Sequence, residues 1–149
     1  MSIAIRTAVA DDVPAIASLI QVSFGEAMAH HFTAKGRETF LKFSAPTAIA
    51  ARLAKNTEAW VAVWPDRSIA GYAELDDDHL RMLFVRHGLQ RSGIGRELMT
   101  FLQVLRSGRT VSLNSAPNAD AFYLAMGFRP TGPRQEANGI VFTPMGRKF

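Results

Sequence analysis

The sequence predicts an α+β, sandwich-like fold in which a mixed, mostly antiparallel central sheet carries helices on both faces. Three observations carry this expectation. Three strand-like runs separated by short polar turns occupy the middle of the chain, amphipathic helical stripes flank them, and a short strand and helix recur before two closing strands. A length of 149 residues suits one domain spanning 1–149. Hydrophobic residues at 48% and charged residues at 20% match folded domains rather than disordered chains.

Ile3 to Val9 has the β-branched and apolar content of an opening strand. Asp11-Asp12 ahead of Pro14 marks a helix start, because proline is tolerated in a first turn whose backbone donors lack partners. Val13, Ile16, Ile20 and Phe24 then recur at helical spacing. A loop over Gly25 to Thr33 leads to a second helical stretch between Ala34 and Lys55, interrupted by Pro46. Glu58 to Trp64, Ser68 to Leu75 and Leu80 to Arg86 form the meander, with turns at Pro65-Asp66-Arg67 and Asp76-Asp77-Asp78. Gly93 to Arg106 is a helix, since Ile94, Leu98, Phe101, Leu102 and Leu105 make one apolar stripe and Gly108 caps it. Val111 to Leu113 is a short strand and Ala119 to Met126 a short helix ending at Gly127. Phe128 to Pro130 and Ile140 to Met145 close the sheet.

Composition excludes several functions. Zero cysteines remove disulfides, thiolate zinc sites and cysteine nucleophiles together. No apolar run approaches the roughly 18 residues that span a bilayer, and the start from Met1 to Arg6 lacks the features of a signal peptide, so a soluble, cytoplasmic protein without membrane partners is expected. Adjacent His30-His31 diverge on a helix and have no spaced carboxylate partner, so no metal is expected. Phe24, Trp60, Trp64 and Phe142 read as core, and the aspartates at 76–78 as a solvated turn. Ser112 and Ser115 show no evident His and Asp partners for a serine hydrolase. The net charge is +4, but six arginines crowd between Arg81 and Arg109 while Glu74, Asp76, Asp77 and Asp78 sit just upstream. This local positive charge suits a small phosphorylated ligand at least as well as a duplex, which needs many spread contacts, and with no helix carrying clustered basic and base-reading residues no nucleic-acid partner is expected.

The stretch from Leu83 to Arg96 runs from a strand, through a glycine-bearing turn, into the amphipathic helix. A first helical turn offers unpartnered N–H groups at the positive end of the helix dipole, and Gly93 and Gly95 let a phosphate approach them. Gly88 to Gly93 has P-loop spacing, yet Ile94-Gly95 stands where that loop requires Lys and Ser or Thr. A dinucleotide fingerprint fails at Leu98, which replaces its third glycine.

Gln90-Arg91-Ser92-Gly93-Ile94-Gly95 resembles the Gln/Arg-x-x-Gly-x-Gly/Ala signature of the GNAT N-acetyltransferase family. The segment from Asn114 through Phe122-Tyr123 to Gly127-Phe128 is similar to that family's second hallmark, and the resemblance covers essentially the whole chain. It implies the acyl-CoA N-acyltransferase fold, acetyl-CoA as donor and a primary amine of a small molecule or peptide as acceptor. A non-catalytic acyl-CoA sensor of the same fold is the alternative, and homodimers are common in the family. Leu83, Phe84 and Val85 would offer backbone groups to the pantetheine arm. Gln90, Arg91, Ser92, Gly93, Ile94, Gly95 and Arg96 would hold the pyrophosphate, with Asn118 as a further cofactor contact or a helix N-cap. A backbone N–H near Phe84 would steady the thioester oxygen. Tyr123 resembles the general acid. His79, where some relatives carry a catalytic glutamate, Glu74 on the preceding strand, or water would take the amine proton. Neutralising an alkyl ammonium of pKa about 10.4 at pH 7 costs about 4.6 kcal/mol, which is the work asked of that base. By strand alternation Glu74 and Tyr72 share one side while Ala73 faces the other.

Overall fold

Strand alternation sorts the side chains of the meander between two cores. The computed structural model describes residues 2–55, 57–86, 88–89 and 92–149. In it β1 (Ala4–Thr7), β2 (Glu58–Val63), β3 (Ile69–Asp76) and β4 (His79–Val85) pair antiparallel in succession. β5 (Thr110–Ser115) joins β4 in parallel, and β6 (Arg129–Pro130), β7 (Gln135–Ala137) and β8 (Ile140–Lys148) follow, with β8 antiparallel to β5, β6 and β7. The main order across the sheet is β1-β2-β3-β4-β5-β8-β6.

One face buries Trp60, Ala62, Ala73, Leu75 and Leu80 against α4 (Ile94–Leu105) and α5 (Asp120–Ala125). The other buries Ala59, Val61, Tyr72 and Met82 against α1 (Val13–Ala27), α2 (Ala34–Phe43) and α3 (Pro46–Leu53). Helices therefore cover both faces of a mostly antiparallel sheet, as the sequence pattern predicts. Leu98, Met99 and Leu102 of the α4 stripe are fully buried, and each such side chain contributes roughly 1.5–3 kcal/mol relative to exposure.

The α1 start is built around Asp12, which accepts two hydrogen bonds from Arg6 (2.8 and 2.9 Å) and one from the Val9 amide (2.8 Å). Thr33 caps α2, its Oγ1 accepting from Gly36 N at 3.1 Å. Pro46 opens α3 rather than interrupting one helix, so the predicted second stretch is two helices. Between Gly25 and Thr33, α1 continues to Ala27 and a 3-10 turn spans Ala29–His31. β7 was not anticipated, because Gln135-Glu136-Ala137 is fully exposed and carries no apolar alternation.

Gly71 lies directly beneath α4, where a Cβ would meet Leu98 Cδ1 at 2.9 Å. In the β3–β4 pairing, Glu74 faces Met82 and Leu75 faces Leu80, so Arg81 is an extra residue, a β-bulge in β4. It inverts the alternation: Leu80 enters the α4-side core and Met82 the α1-side core.

Candidate active site

β4 and β5 pair only at His79↔Ser112 and Leu80↔Leu113, after which the ladder stops and the two strands fork. Arg86 N donates to Ala70 O at 2.8 Å. In an antiparallel ladder this turns the backbone groups of Phe84 and Met82 towards β3 and those of Leu83 and Val85 towards the fork. The expectation for Phe84 is corrected accordingly: its own N–H belongs to the β3 ladder, while its side chain packs in the α1-side core, 6.0 Å from the Phe40 ring. The Val85 carbonyl accepts from Ser23 Oγ at 3.1 Å.

At the end of β4 a glycine turn leads into α4. Gly93 is its N-cap, with φ of 89°, and no side chain caps the first turn. The first intrahelical bond runs from Glu97 N to Gly93 O (2.9 Å), which leaves the amides of Ile94, Gly95 and Arg96 without helical partners. A Cβ on Gly95 would stand 3.3 Å from the Phe122 ring and 3.6 Å from Val85 Cγ2, so this residue is where α4, α5 and the fork meet. Ser92 is exposed and donates its hydroxyl to Leu89 O (2.5 Å), while Ile94 is buried. Arg96 is exposed and lines a groove of about 350 Å³ with Gly127 and Arg147. Gln90 and Arg91 lie outside the described residues.

Tyr123 reaches the same region from α5. It is buried between the rings of Phe122 (5.4 Å) and Phe128 (5.9 Å), and burial pushes its pKa well above the usual value for a phenol. Its hydroxyl makes no hydrogen bond to any described residue. Ser115 Oγ donates to Asp120 Oδ1 (2.6 Å) and Arg134 pairs with Asp120 (3.0 Å), so the start of α5 is tied to the end of β5. Asn118 is exposed in the 3-10 turn Pro117–Ala119 and does not cap α5, whose N-cap is Ala119.

The two candidate bases differ sharply. Glu74 and Tyr72 share a side, as alternation requires, but Glu74 is 0% exposed and accepts four hydrogen bonds. Tyr72 Oη (2.6 Å) and Arg52 Nη2 (3.3 Å) donate to Oε1, while Arg52 Nε (2.9 Å) and Arg81 Nη1 (3.1 Å) donate to Oε2. A carboxylate has about four acceptor positions, so all of those of Glu74 are taken by groups of this chain and none is left for an amine proton. His79 is half-buried in the paired part of β4 and β5 just ahead of the fork, its Nδ1 2.8 Å from Ser112 Oγ. Burial, reinforced by Arg81, lowers its pKa. Val111 and Leu113 enter the α4-side core, so Ser112 and Asn114 face the opposite side, where both are exposed. The contact with Ser112 puts His79 on that open face.

The arginine-rich stretch is not one basic patch. Arg81 bridges Glu74 and Asp76 (2.6 Å), Arg109 bridges Asp78 (2.8 Å), and Arg106 pairs with Glu58 and with Asp78 (3.3 Å). The aspartates at 76–78 are therefore ion-paired rather than merely solvated. Arg52, which the sequence reading missed, carries no signal beyond being one basic residue on an amphipathic helix. Among the described residues no group of His, Asp and Glu is placed to hold a metal ion, and no helix is long and apolar enough to cross a membrane.

Comparison with known proteins agrees with this architecture. The acetyltransferase (GNAT) domain pattern matches residues 28–149. A peptidyl-lysine N-acetyltransferase, YjaB of Salmonella typhimurium, is 34% identical over 82 residues, so the match spans about half of each protein, 54% of this chain and 56% of that one. A GCN5-related N-acetyltransferase from Rhodopseudomonas palustris has the same fold, with a TM-score of 0.86 at 21% identity over 100% of this chain and 97% of that one. The PaiA N-acetyltransferase of Thermoplasma acidophilum, solved in complex with coenzyme A, gives a TM-score of 0.78 at 19% identity over all of both chains. With a forked β4–β5 pair, an uncapped α4 start beside it, and the domain pattern extending over most of its length, the chain belongs to the GNAT acetyltransferase family.

Proposed function

We propose that the protein is an N-acetyltransferase that moves an acetyl group from acetyl-CoA to a primary amine by direct attack. The fork between β4 and β5 carries this reading, because the strand pairing opens there beside the uncapped start of α4 and beside Tyr123, whose hydroxyl makes no hydrogen bond to any described residue. Acetyl-CoA supplies the activated thioester. The α4 amides around Ile94 and Gly95 take the pyrophosphate, with Ser92 and Gly93 at its rim, and the signature residues Gln90 and Arg91 add to its hold. The edges of Leu83 and Val85 align the pantetheine arm, and an N–H there stabilises the charge that grows on the thioester oxygen. Asn118 and Arg96 flank the cofactor at the mouth.

On the open face His79 receives the amine proton. With its pKa below the ordinary 6.5 the imidazole is neutral at pH 7. The tautomer in which Nδ1–H donates to Ser112 Oγ leaves Nε2 free to accept. Tyr123 remains protonated and donates a hydrogen bond to the departing thiolate. The acceptor is a small-molecule amine ahead of a protein amine, and the activity named for the YjaB relative places lysine peptides in the same screen.

The test is isothermal titration with acetyl-CoA and CoA alongside a thiol-release screen over polyamines, amino acids, aminoglycosides and lysine peptides. Cofactor binding with turnover on one amine class is the expected result. Binding without turnover on any amine favours an acyl-CoA sensor, and no binding overturns the reading. The parent enzyme should show an acid limb in kcat/KM below pH 6.5, and for His79→Gln kcat/KM should fall about 10²-fold or more and that limb should vanish. An unchanged limb would remove His79 from the mechanism.

A further inference from the structure

The bulge at Arg81 comes one residue after Leu80↔Leu113, the last pair before β4 leaves β5. That extra residue has no partner in the β3 register, and its side chain reaches back to β3 instead. The Arg81 guanidinium is gripped by two carboxylates of β3 that share a face, Glu74 (3.1 Å) and Asp76 (2.6 Å). Glu74 is in turn fixed by Tyr72 below and by Arg52 from α3, whose guanidinium lies 3.8 Å over the Phe43 ring and donates to the Phe43 carbonyl (2.7 Å). Four donors on one fully buried carboxylate define its position more tightly than proton chemistry would require.

We propose that Glu74 is a positioning residue: by clamping Arg81 it locks the β4 bulge and so sets the opening between β4 and β5 into which acetyl-CoA fits. The inference rests on the fork being the cofactor site. Bulges bend a strand and increase its local twist, and here the bend begins where the parallel pairing ends. Without the clamp Arg81 swings out, β4 relaxes towards straight pairing with β5, and the edges of Leu83 and Val85 are drawn out of line with the cofactor arm. Asp76 is exposed and supplies the second hold, so it reports on the same clamp without emptying the core.

The experiment measures CoA affinity by isothermal titration for the parent protein, Asp76→Asn, Arg81→Met and Glu74→Gln, with thermal melting of each to set a temperature at which all are folded. Weaker CoA binding is expected in the order Asp76→Asn, Arg81→Met, Glu74→Gln, by about threefold for the first and tenfold or more for the last. Asp76→Asn combined with Arg81→Met should be no worse than Arg81→Met alone, since both act on one contact. Unchanged affinity in Asp76→Asn and Arg81→Met overturns the proposal whether or not Glu74→Gln folds, and leaves only a structural role for the cluster. If the parent protein itself fails to bind CoA, the cofactor reading falls, and the inference with it.

Discussion

Tyr123 and a coenzyme A thiol illustrate how magnitudes choose between roles. A phenol near pKa 10 gives its proton to a thiolate of pKa near 8.5 only at a cost of about 2 kcal/mol. Burial raises the phenol further here and widens that gap. In the proposed mechanism the side chain therefore donates a hydrogen bond to the thiolate and keeps its proton. Tyr123→Phe should lower kcat by about 10- to 100-fold with CoA affinity nearly unchanged, and the parent enzyme should show no alkaline limb from this residue below pH 10, measured by thiol release across pH. Asp12 makes the opposite case, since the Arg6 guanidinium holds its carboxyl below the usual range. Its contribution to stability is complete above its unfolded pKa near 3.9 and is lost as pH falls through the lower folded value. Asp12→Asn should therefore cost about 1.5–3 kcal/mol in urea unfolding at pH 7, and this difference should shrink on acidification below pH 4. Tyr123 and His79 stand out in the sequence because a motif or its spacing marks them. The saturation of Glu74 does not, because its partners come from positions 52, 72 and 81 and meet only once β3, β4 and α3 have packed. The link between His79 and Ser112 depends likewise on a parallel register that no local pattern announces.

At the scale of elements, helices with strong stripes and strands with apolar runs were legible, while two kinds of feature were not. β7 is polar and exposed, and exists because it pairs with β8. The Arg81 bulge is invisible because one extra residue leaves composition and hydrophobicity untouched. The turn of the β7–β8 hairpin also sits with its backbone directly against α2: a Cβ on Gly36 would collide with the Gly139 carbonyl, and Thr39 Oγ1 donates to Asn138 O at 3.1 Å. Gly36→Ala cannot be absorbed by a side-chain rotation, since the obstructing atoms are main chain. It should destabilise by more than about 2 kcal/mol in urea or thermal unfolding, although alanine has the higher helix propensity. A neutral or stabilising result would show that the hairpin can leave α2 at little cost.

For the whole molecule, one sheet separates two cores, and the site occupies the place where that sheet opens. A ligand bound there braces α4, β4, β5 and α5 together, so acetyl-CoA at a hundred times its Kd should add about 2.7 kcal/mol of stability, read as a rise in Tm. Duplex DNA should give no shift at 0.15 M salt, because Arg81, Arg106 and Arg109 are already committed to acids of this chain. A DNA-induced shift that fell steeply with salt would contradict this assignment of charge. The bulge has one more consequence. Counting back from Leu83 by strict alternation puts residue 79 on the α4 side with the cofactor turn; the additional residue moves His79 to the other side instead, beside Ser112. On the proposed function the sheet becomes a partition with one window, thioester on one side and amine on the other. Neither substrate has to leave for its counterpart to enter, so initial-rate plots should intersect, as a ternary complex demands, rather than run parallel.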